Sequence, residues 1–142
     1  MQTDPQNGEL NDHAAGTLCP MPILYGPTAS GKSSLALAMV ANLRSQGRNA
    51  EIITADAFQM YRGMDIGTAK PTTTEQRLAP HHLLDICSPF APPNNISGEG
   101  VGAFTVDDWL SQAEPCSAAV RARGAVPIVV RGTSLYVQSL LY

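Results

Sequence analysis

Residues 26–33 read Gly-Pro-Thr-Ala-Ser-Gly-Lys-Ser and match the phosphate-loop pattern GxxxxGK[ST]. A short apolar run, 23–25, precedes this loop, and a segment with apolar residues at helical spacing, 35–43, follows it. Strand, loop and helix therefore come in the order that the pattern requires. Glycines let the backbone wrap closely around an anion, and the first turn of the following helix presents unpaired N–H groups and the positive end of its dipole. The stretch predicts a phosphate-binding site.

Every position of this loop is a candidate for phosphate binding. Lys32 supplies a point charge to the terminal phosphate, and the Ser33 hydroxyl is a candidate ligand for Mg²⁺. The alternative is a glycine turn with an incidental lysine, a match that arises by chance in well under about 1% of chains of this length. The predicted phosphate-binding residues are Gly26, Pro27, Thr28, Ala29, Ser30, Gly31, Lys32 and Ser33.

Strand-like and helix-like segments alternate along the rest of the chain. Besides 23–25, the predicted strands are 51–55, 126–130 (closed by a glycine) and a short one within 81–86. Besides 35–43, the predicted helices are one that begins after its N-cap Thr105 and one over 135–141. Such alternation is typical of βαβ units, so the predicted fold is α/β, a P-loop NTPase-like parallel sheet flanked by helices.

Two stretches between these elements are predicted to be irregular. Segment 61–80 is rich in Gly, Thr and Pro and is interpreted as a long functional loop with at most a short helix. Segment 89–102, PFAPPNNISGEGVG, is even more typical of a loop. Pro115 lies inside the helix predicted after Thr105. Because proline cannot donate a backbone hydrogen bond, we expect a kink or a break there.

Length and composition limit the chain to one domain of ordinary size. Its 142 residues are 44% hydrophobic and 15% charged, which favours a buried core over global disorder. The formal net charge of -3 argues against this chain gripping RNA unaided. Residues 1–20 are predicted to be a flexible N-terminal tail, and 21–142 a P-loop catalytic domain. Because the last residues fall in a predicted helix without a cap, we expect the C-terminal part of that domain to be missing.

Cysteine spacing and hydropathy indicate where such a protein works. Cys19, Cys87 and Cys116 form no CxxC pair, and scattered thiols of this kind suit a reducing cytoplasm better than a metal site. No run of about 18 apolar residues is present, so no membrane span is predicted. We expect a cytoplasmic monomer.

Five segments together resemble the motifs of the tRNA dimethylallyltransferase (tRNA isopentenyltransferase) family, in family order. The run TADAFQMYRGMDIGTAKP at 54–71 is similar to that family's second motif over nearly its full length. Beyond GPTASGKSS at 26–34, the other matches are PHHLLD at 80–85, FTV at 104–106 and RGTSLY at 131–136. Five matches in order make chance resemblance negligible, and they imply the N-terminal half of such an enzyme.

The resemblance implies prenyl transfer to RNA. Its expected substrates are dimethylallyl diphosphate in the phosphate loop and an adenosine beside the anticodon in the anticodon arm of a tRNA, with Mg²⁺ as cofactor. Asp56 matches the family's catalytic base, which accepts a proton from the adenosine N6. Thr133 matches a residue that contacts the adenine and the diphosphate. The implied tRNA contacts are Asp56, Ala57, Phe58, Gln59 and Thr133.

Other interpretations of these residues stay open. A carboxylate that ends a strand, as Asp56 does, is often a turn or helix cap, and His81 and His82 belong to a motif that is structural in the family. The alternative functions are an ATP-dependent P-loop kinase of small molecules or nucleotides, and a non-catalytic truncated fragment.

Three residues depart from the family's usual pattern. Ala57 replaces a serine, Arg131 replaces the first glycine of a GGT motif, and Ser134 stands where glycine or asparagine is common. Arg131 either strains the strand end or adds a cation beside the diphosphate.

Overall fold

The computed structural model describes residues 21–27, 30–56, 58–63, 65, 69–87 and 105–132. Strands and helices alternate along these segments, as the sequence predicts. The elements are β1 (Ile23–Tyr25), α1 (Lys32–Ser45), β2 (Ala50–Thr54), α2 (Thr73–Leu78), β3 (His81–His82), α3 (Val106–Ala122) and β4 (Val126–Arg131). Within the described segments, no helix is long and apolar enough to cross a membrane.

The strands form one four-stranded sheet in the order β1-β4-β2-β3, and every pairing in it is parallel. This confirms the predicted α/β fold. Parallel strands bring their carboxyl ends to the same edge of a sheet, and ligands of open α/β sheets bind outside that edge. The phosphate loop after β1, Asp56 after β2 and Gly132 after β4 all lie there.

Apolar side chains cover both faces of the sheet. On one face Ile53 and Val129 pack with Met60 and Trp109, and the Trp109 indole N–H donates to the Thr54 carbonyl at 3.0 Å. The opposite face is covered by α1, where the buried residues are Ala36, Val40, Ala50, Ile52, Ala79, Val126 and Ile128. A sheet buried on both faces explains why apolar residues are consecutive rather than alternating at 52–53 of β2 and 126–130 of β4.

Helix α3 begins where the sequence predicts. The Thr105 hydroxyl accepts a hydrogen bond from the Asp108 N–H at 3.2 Å, and the Asp108 carboxylate accepts from the Thr105 N–H at 2.8 Å. A kink or a break was expected at Pro115, and the break is wrong, because α3 runs unbroken through it. Pro115 lies on the exposed face, and the buried residues Trp109, Ala113, Ser117 and Val120 hold the other face in the core.

Two other predicted segments differ from the structure in their length or secondary structure. The strand predicted within 81–86 stops after His82, because Leu83 and Asp85 have φ values of +60° and +54°, incompatible with a strand. Segment 61–80 contains one short helix, α2, which begins with a Thr72–Glu75 capping box. The predicted tail 1–20, the loop 89–102 and the helix 135–141 lie outside the described residues.

Candidate functional site

A cavity of about 320 Å³ opens at the carboxyl edge of the sheet, at the small end of the range of ligand clefts. It lies between the first turn of α1, the residue after β2 and the last residues of β4. Its lining residues are Gly31, Lys32, Ser33, Ser34, Asp56, Gln59, Ala69, Val130, Arg131 and Gly132. The structure therefore brings five predicted site residues from two separate motifs to one cavity: Gly31, Lys32, Ser33, Asp56 and Gln59.

The phosphate loop ends at an open helix terminus. Gly31 is the N-cap of α1 at φ +86°, a left-handed conformation that a residue with a Cβ adopts only with strain. A glycine offers no side chain to cap the helix, and the first turn of α1 carries no acidic residue. The unpaired N–H groups and the positive end of the helix dipole are thus left for an anion.

Lys32 lies folded against its own loop. Its amine donates to the carbonyls of Gly26 at 2.6 Å and Pro27 at 2.5 Å, and Ser30 Oγ lies 3.3 Å from it. These residues also line a second, more open cavity of about 390 Å³ beside the exposed side chains of Tyr25 and Leu35. An anion in the loop would compete with neutral carbonyls for this amine, and a charged acceptor makes the stronger hydrogen bond.

The Asp56 side chain both caps the turn after β2 and lines the cavity. Its Oδ1 accepts from the backbone N–H of Phe58 at 2.9 Å and of Gln59 at 3.4 Å, which caps the turn after β2. The other oxygen faces β4, since a Cβ built on Gly132 would lie 2.3 Å from Oδ2. Only glycine at position 132 therefore leaves this carboxylate its place. Oδ1 fixes the side chain, and Oδ2 is the oxygen turned away from the turn.

The residues after Asp56 extend the site outward. Phe58 is 55% exposed, so its ring is accessible to a partner that approaches this turn. The Gln59 side-chain amide donates to the Ala69 carbonyl at 3.0 Å, which joins the turn after β2 to the end of the DIGTAKP segment. The sequence did not single out Ala69 as a site residue, because its place in the cavity wall depends on a backbone turn at φ +52° that no local pattern reveals.

Arg131 was expected either to strain the end of β4 or to add a cation beside the diphosphate. It pairs with Tyr25 in regular parallel register, which argues against strain in the strand. Its side chain is only 4% exposed, and the guanidinium lies 5.3 Å from the centre of the Tyr25 ring, within cation–π range. Burial lowers the pKa of Arg131, yet a guanidinium stays protonated at neutral pH. The cavity wall thus includes a second cationic residue besides Lys32.

The two histidines have structural partners away from the cavity. His82 Nε2 lies 2.5 Å from Glu51 Oε2, and the Arg123 guanidinium binds the same carboxylate at 2.6 Å, tying the end of α3 to the sheet. His81 Nδ1 contacts the Ala79 carbonyl at 2.8 Å, and burial lowers its pKa. Both sets of contacts fit the structural interpretation of this motif.

Oxygen donors suited to Mg²⁺ are present on the cavity wall. The Ser33 hydroxyl and the Asp56 carboxylate both line it, and Mg²⁺ prefers oxygen ligands and keeps several waters. In the part of the chain that the structure describes, no group of three or more His, Cys, Asp or Glu side chains could hold a metal alone. The donor set therefore fits a magnesium ion that arrives with a phosphate ligand.

Four of the predicted site residues, Thr28, Ala29, Ala57 and Thr133, lie outside the described residues, as does Ser134. The remaining loop residues Gly26, Pro27 and Ser30 line the open cavity on the outer side of the loop.

Comparison with known proteins gives one consistent family. The family model described as IPP transferase matches residues 59–142. The tRNA dimethylallyltransferase of Anaeromyxobacter sp. (strain K) is 46% identical over 120 residues, which cover 84% of this chain and 34% of that protein. The chain thus spans about a third of the length of the curated relatives it matches.

Solved structures agree with this result. The tRNA isopentenylpyrophosphate transferase of Bacillus halodurans superposes with a TM-score of 0.70 at 36% identity, over 86% of this chain and 35% of that one. The tRNA delta(2)-isopentenylpyrophosphate transferase of Staphylococcus epidermidis gives a TM-score of 0.68 at 41% identity, over 87% and 36% of the two chains.

Proposed function

The chain belongs to the IPP transferase family, and from that premise we propose that its cavity binds dimethylallyl diphosphate for transfer of the dimethylallyl group to tRNA. The acceptor is N6 of an adenosine beside the anticodon. One observation carries the proposal: the open terminus of α1 and the Asp56 carboxylate line the same cavity. An anion-binding site and a proton acceptor side by side are what transfer from a diphosphate to an amine requires.

The diphosphate is the ligand that the phosphate loop would hold. Its oxygens would accept from the N–H groups at the start of α1 and from Lys32, which would leave the carbonyls of Gly26 and Pro27. Negative charge grows on the diphosphate as it leaves, so cations fixed there stabilise the transition state more than the ground state. The proposed phosphate-binding residues are Gly26, Pro27, Thr28, Ala29, Ser30, Gly31, Lys32 and Ser33.

Magnesium is proposed as the cofactor, held by the Ser33 hydroxyl together with oxygens of the diphosphate. When bound, it would neutralise charge on the leaving diphosphate.

Asp56 is proposed as the base. The exocyclic amine of adenine is a weak nucleophile, so loss of its proton to a positioned carboxylate assists the attack. As the N6–carbon bond forms, the allylic carbon–oxygen bond breaks, diphosphate departs with the electron pair, and the N6 proton passes to Asp56. Oδ2 is the better placed oxygen, because Oδ1 is held by the turn amides of Phe58 and Gln59.

The RNA is proposed to approach over the turn after β2. The exposed Phe58 ring suits stacking on a base, and the target adenosine would leave its own stack to reach the cavity. The proposed RNA contacts are Asp56, Ala57, Phe58, Gln59 and Thr133, the last also touching the diphosphate.

We further propose that the protein acts as a monomer in the cytoplasm. No observation favours the ATP-dependent kinase: β4 ends in Val130-Arg131 and is followed by Gly132, without a carboxylate for Mg²⁺.

The test is transfer of labelled dimethylallyl from its diphosphate to an unmodified anticodon stem-loop, with a stem-loop lacking the target adenosine as control. Label only on the adenosine-bearing RNA is the expected result. Asp56→Asn should lower the rate by about 100-fold or more, while Asp107→Asn, which changes an exposed carboxylate of α3, should not. Binding of Mg²⁺-diphosphate without any transfer would identify the chain as a non-catalytic fragment and contradict the proposal.

A further inference from the structure

The side-chain amine of Lys70 has an acceptor for each of its three hydrogens. It donates to the Tyr61 carbonyl at 2.5 Å, to Asp85 Oδ1 at 2.6 Å and to Asp65 Oδ1 at 2.9 Å. An ammonium group has three hydrogens, so these acceptors use all of them. The side chain is only 7% exposed. Burial disfavours its charge, but the hydrogen bonds to Asp85 and Asp65 outweigh burial and raise the pKa of Lys70.

These bonds distinguish Lys70 from Lys32. Lys32 rests on neutral carbonyls beside an open helix terminus and can exchange them for a phosphate. To do the same, Lys70 would have to give up two carboxylates, which are stronger acceptors than the neutral carbonyls that hold Lys32. It does not line the cavity either. Lys70 is therefore not a phosphate ligand, and its role has to be sought in what it holds.

The Lys70 amine joins its own segment of the chain to two others, one at Tyr61 and one at Asp85. Tyr61 lies after the turn that begins at Asp56, and Asp85 follows β3. The same two stretches are also joined by backbone bonds, Asp85 N–H to the Gln59 carbonyl at 3.1 Å and Arg62 N–H to the Cys87 carbonyl at 2.7 Å. The Lys70 amine therefore fixes the backbone at 69–70 against two elements that are already joined to each other.

The residue next to Lys70 transmits this constraint to the site. Ala69 has φ +52°, a left-handed conformation that costs a non-glycine residue about 1 kcal/mol or more and persists only where surrounding contacts impose it. In that conformation its carbonyl accepts the Gln59 side-chain amide at 3.0 Å. Ala69 and Gln59 both line the cavity beside Asp56.

We infer that Lys70 is a positioning residue: it holds the Ala69 carbonyl in place, and through it the Gln59 side chain, at the wall where the acceptor adenosine meets Asp56. The inference rests on the proposed function for its catalytic meaning. The effect of Lys70 on the position of the Gln59 side chain, through Ala69, can be measured without catalysis.

The first experiment follows the Gln59 side-chain amide by NMR in protein labelled with ¹⁵N-glutamine, its signal assigned with Gln59→Glu. In the unchanged chain this signal should be shifted from the other glutamine amides and exchange slowly. Lys70→Met, of similar length but without donors, should move it to the position of a solvated amide. Arg77→Met removes an exposed charge of α2 and should leave it unchanged. An unmoved Gln59 signal in a folded Lys70→Met protein would overturn the inference.

A milder variant guards against loss of folding. Asp85→Asn keeps an acceptor oxygen for Lys70 but removes one charge, so it should broaden or partly shift the Gln59 signal while the backbone spectrum is retained. If Asp85→Asn and Lys70→Met both leave Gln59 ordered, or if Gln59 changes only when the whole spectrum collapses, Lys70 merely supports the fold and the inference fails.

The second experiment measures transfer kinetics. Lys70→Met should lower kcat by about 100-fold, the effect of misplacing a reacting group by roughly 1 Å, with the KM for dimethylallyl diphosphate within about twofold because the phosphate loop is untouched. An equal loss of diphosphate affinity would point to general damage instead. If the unchanged chain transfers nothing, the proposed function fails while the NMR result still decides the role of Lys70.

Discussion

Helices α1 and α3 begin in opposite ways. α3 starts with the Thr105–Asp108 capping box and carries two carboxylates in its first turn, Asp107 and Asp108. α1 starts at the left-handed Gly31, without a side-chain cap and without an acidic residue in its first turn. Capping boxes and N-terminal carboxylates stabilise a helix by satisfying its unpaired N–H groups and its dipole. One helix terminus is closed by the protein itself, and the other is left for a ligand.

The uncapped start of α1 makes this helix less stable than a capped one but leaves its N–H groups available to a ligand. A missing cap costs a helix about 1 kcal/mol, and the core contacts of Ala36 and Val40 hold α1 in place despite it. The short helix α2 has the Thr72–Glu75 capping box as well, so among the described helices only the one at the phosphate loop is uncapped.

Lys32→Met removes the cation beside the open terminus. We expect the affinity for Mg²⁺-diphosphate to fall by about 100-fold, since a charge-assisted hydrogen bond to an ionised ligand contributes about 2–3 kcal/mol. Titration calorimetry measures this loss. The melting temperature should hardly change, because the amine bonds only to its own loop. Arg44→Met, at the exposed far end of α1, is the matched control, and an equal loss there would mean that general charge is responsible.

Ser34→Glu gives α1 the acidic third residue that α2 and α3 already have. The new carboxylate should stabilise the helix by about 0.5 kcal/mol through the dipole. It should also repel a bound diphosphate, since Ser34 lines the cavity, and weaken its affinity by about tenfold. Melting curves and calorimetry on the same protein test the opposed signs. Affinity that rose together with stability would show that the open terminus is not where the anion binds.

Asp108→Ala opens the closed terminus of α3. Loss of the capping box should lower the free energy of unfolding by about 1 kcal/mol, measured by urea denaturation, while diphosphate affinity stays unchanged because the residue is not at the cavity. A loss of affinity comparable to the Lys32→Met effect would contradict the separation of the two roles.

The same carboxylate gives a dependence on pH. Hydrogen bonds from the Thr105 hydroxyl and N–H lower the pKa of Asp108 below its usual value near 3.8. The charged form is thus favoured in the folded state, so this contribution is complete above the ordinary pKa and is lost as the pH falls through the lowered one. Between neutral pH and that range the stability gap between Asp108→Ala and the unchanged chain should be constant, and it should narrow in stronger acid.

Local signals in the sequence predicted much of this fold. Strand β1 matches its apolar run residue for residue, the Thr105 cap marks the start of α3, and the alternation of elements predicted the parallel sheet. These succeed because capping, side-chain periodicity and the short reach of a glycine turn depend on neighbours within a few residues. The break expected at Pro115 does not occur for the converse reason: the local preference of proline is outweighed by the packing of Trp109 and its neighbours.

The chemical groups of the candidate site can be identified from the amino-acid sequence: a phosphate loop, a carboxylate after a strand, and motifs in family order. How these groups meet depends on the tertiary fold. It set Asp56 Oδ2 against Gly132, 76 positions further along the chain, left the α1 terminus open, and used Lys70 to hold Ala69 and Gln59. Such contacts join residues far apart in the chain, and their geometry follows from the packing of the whole sheet, which no local pattern encodes.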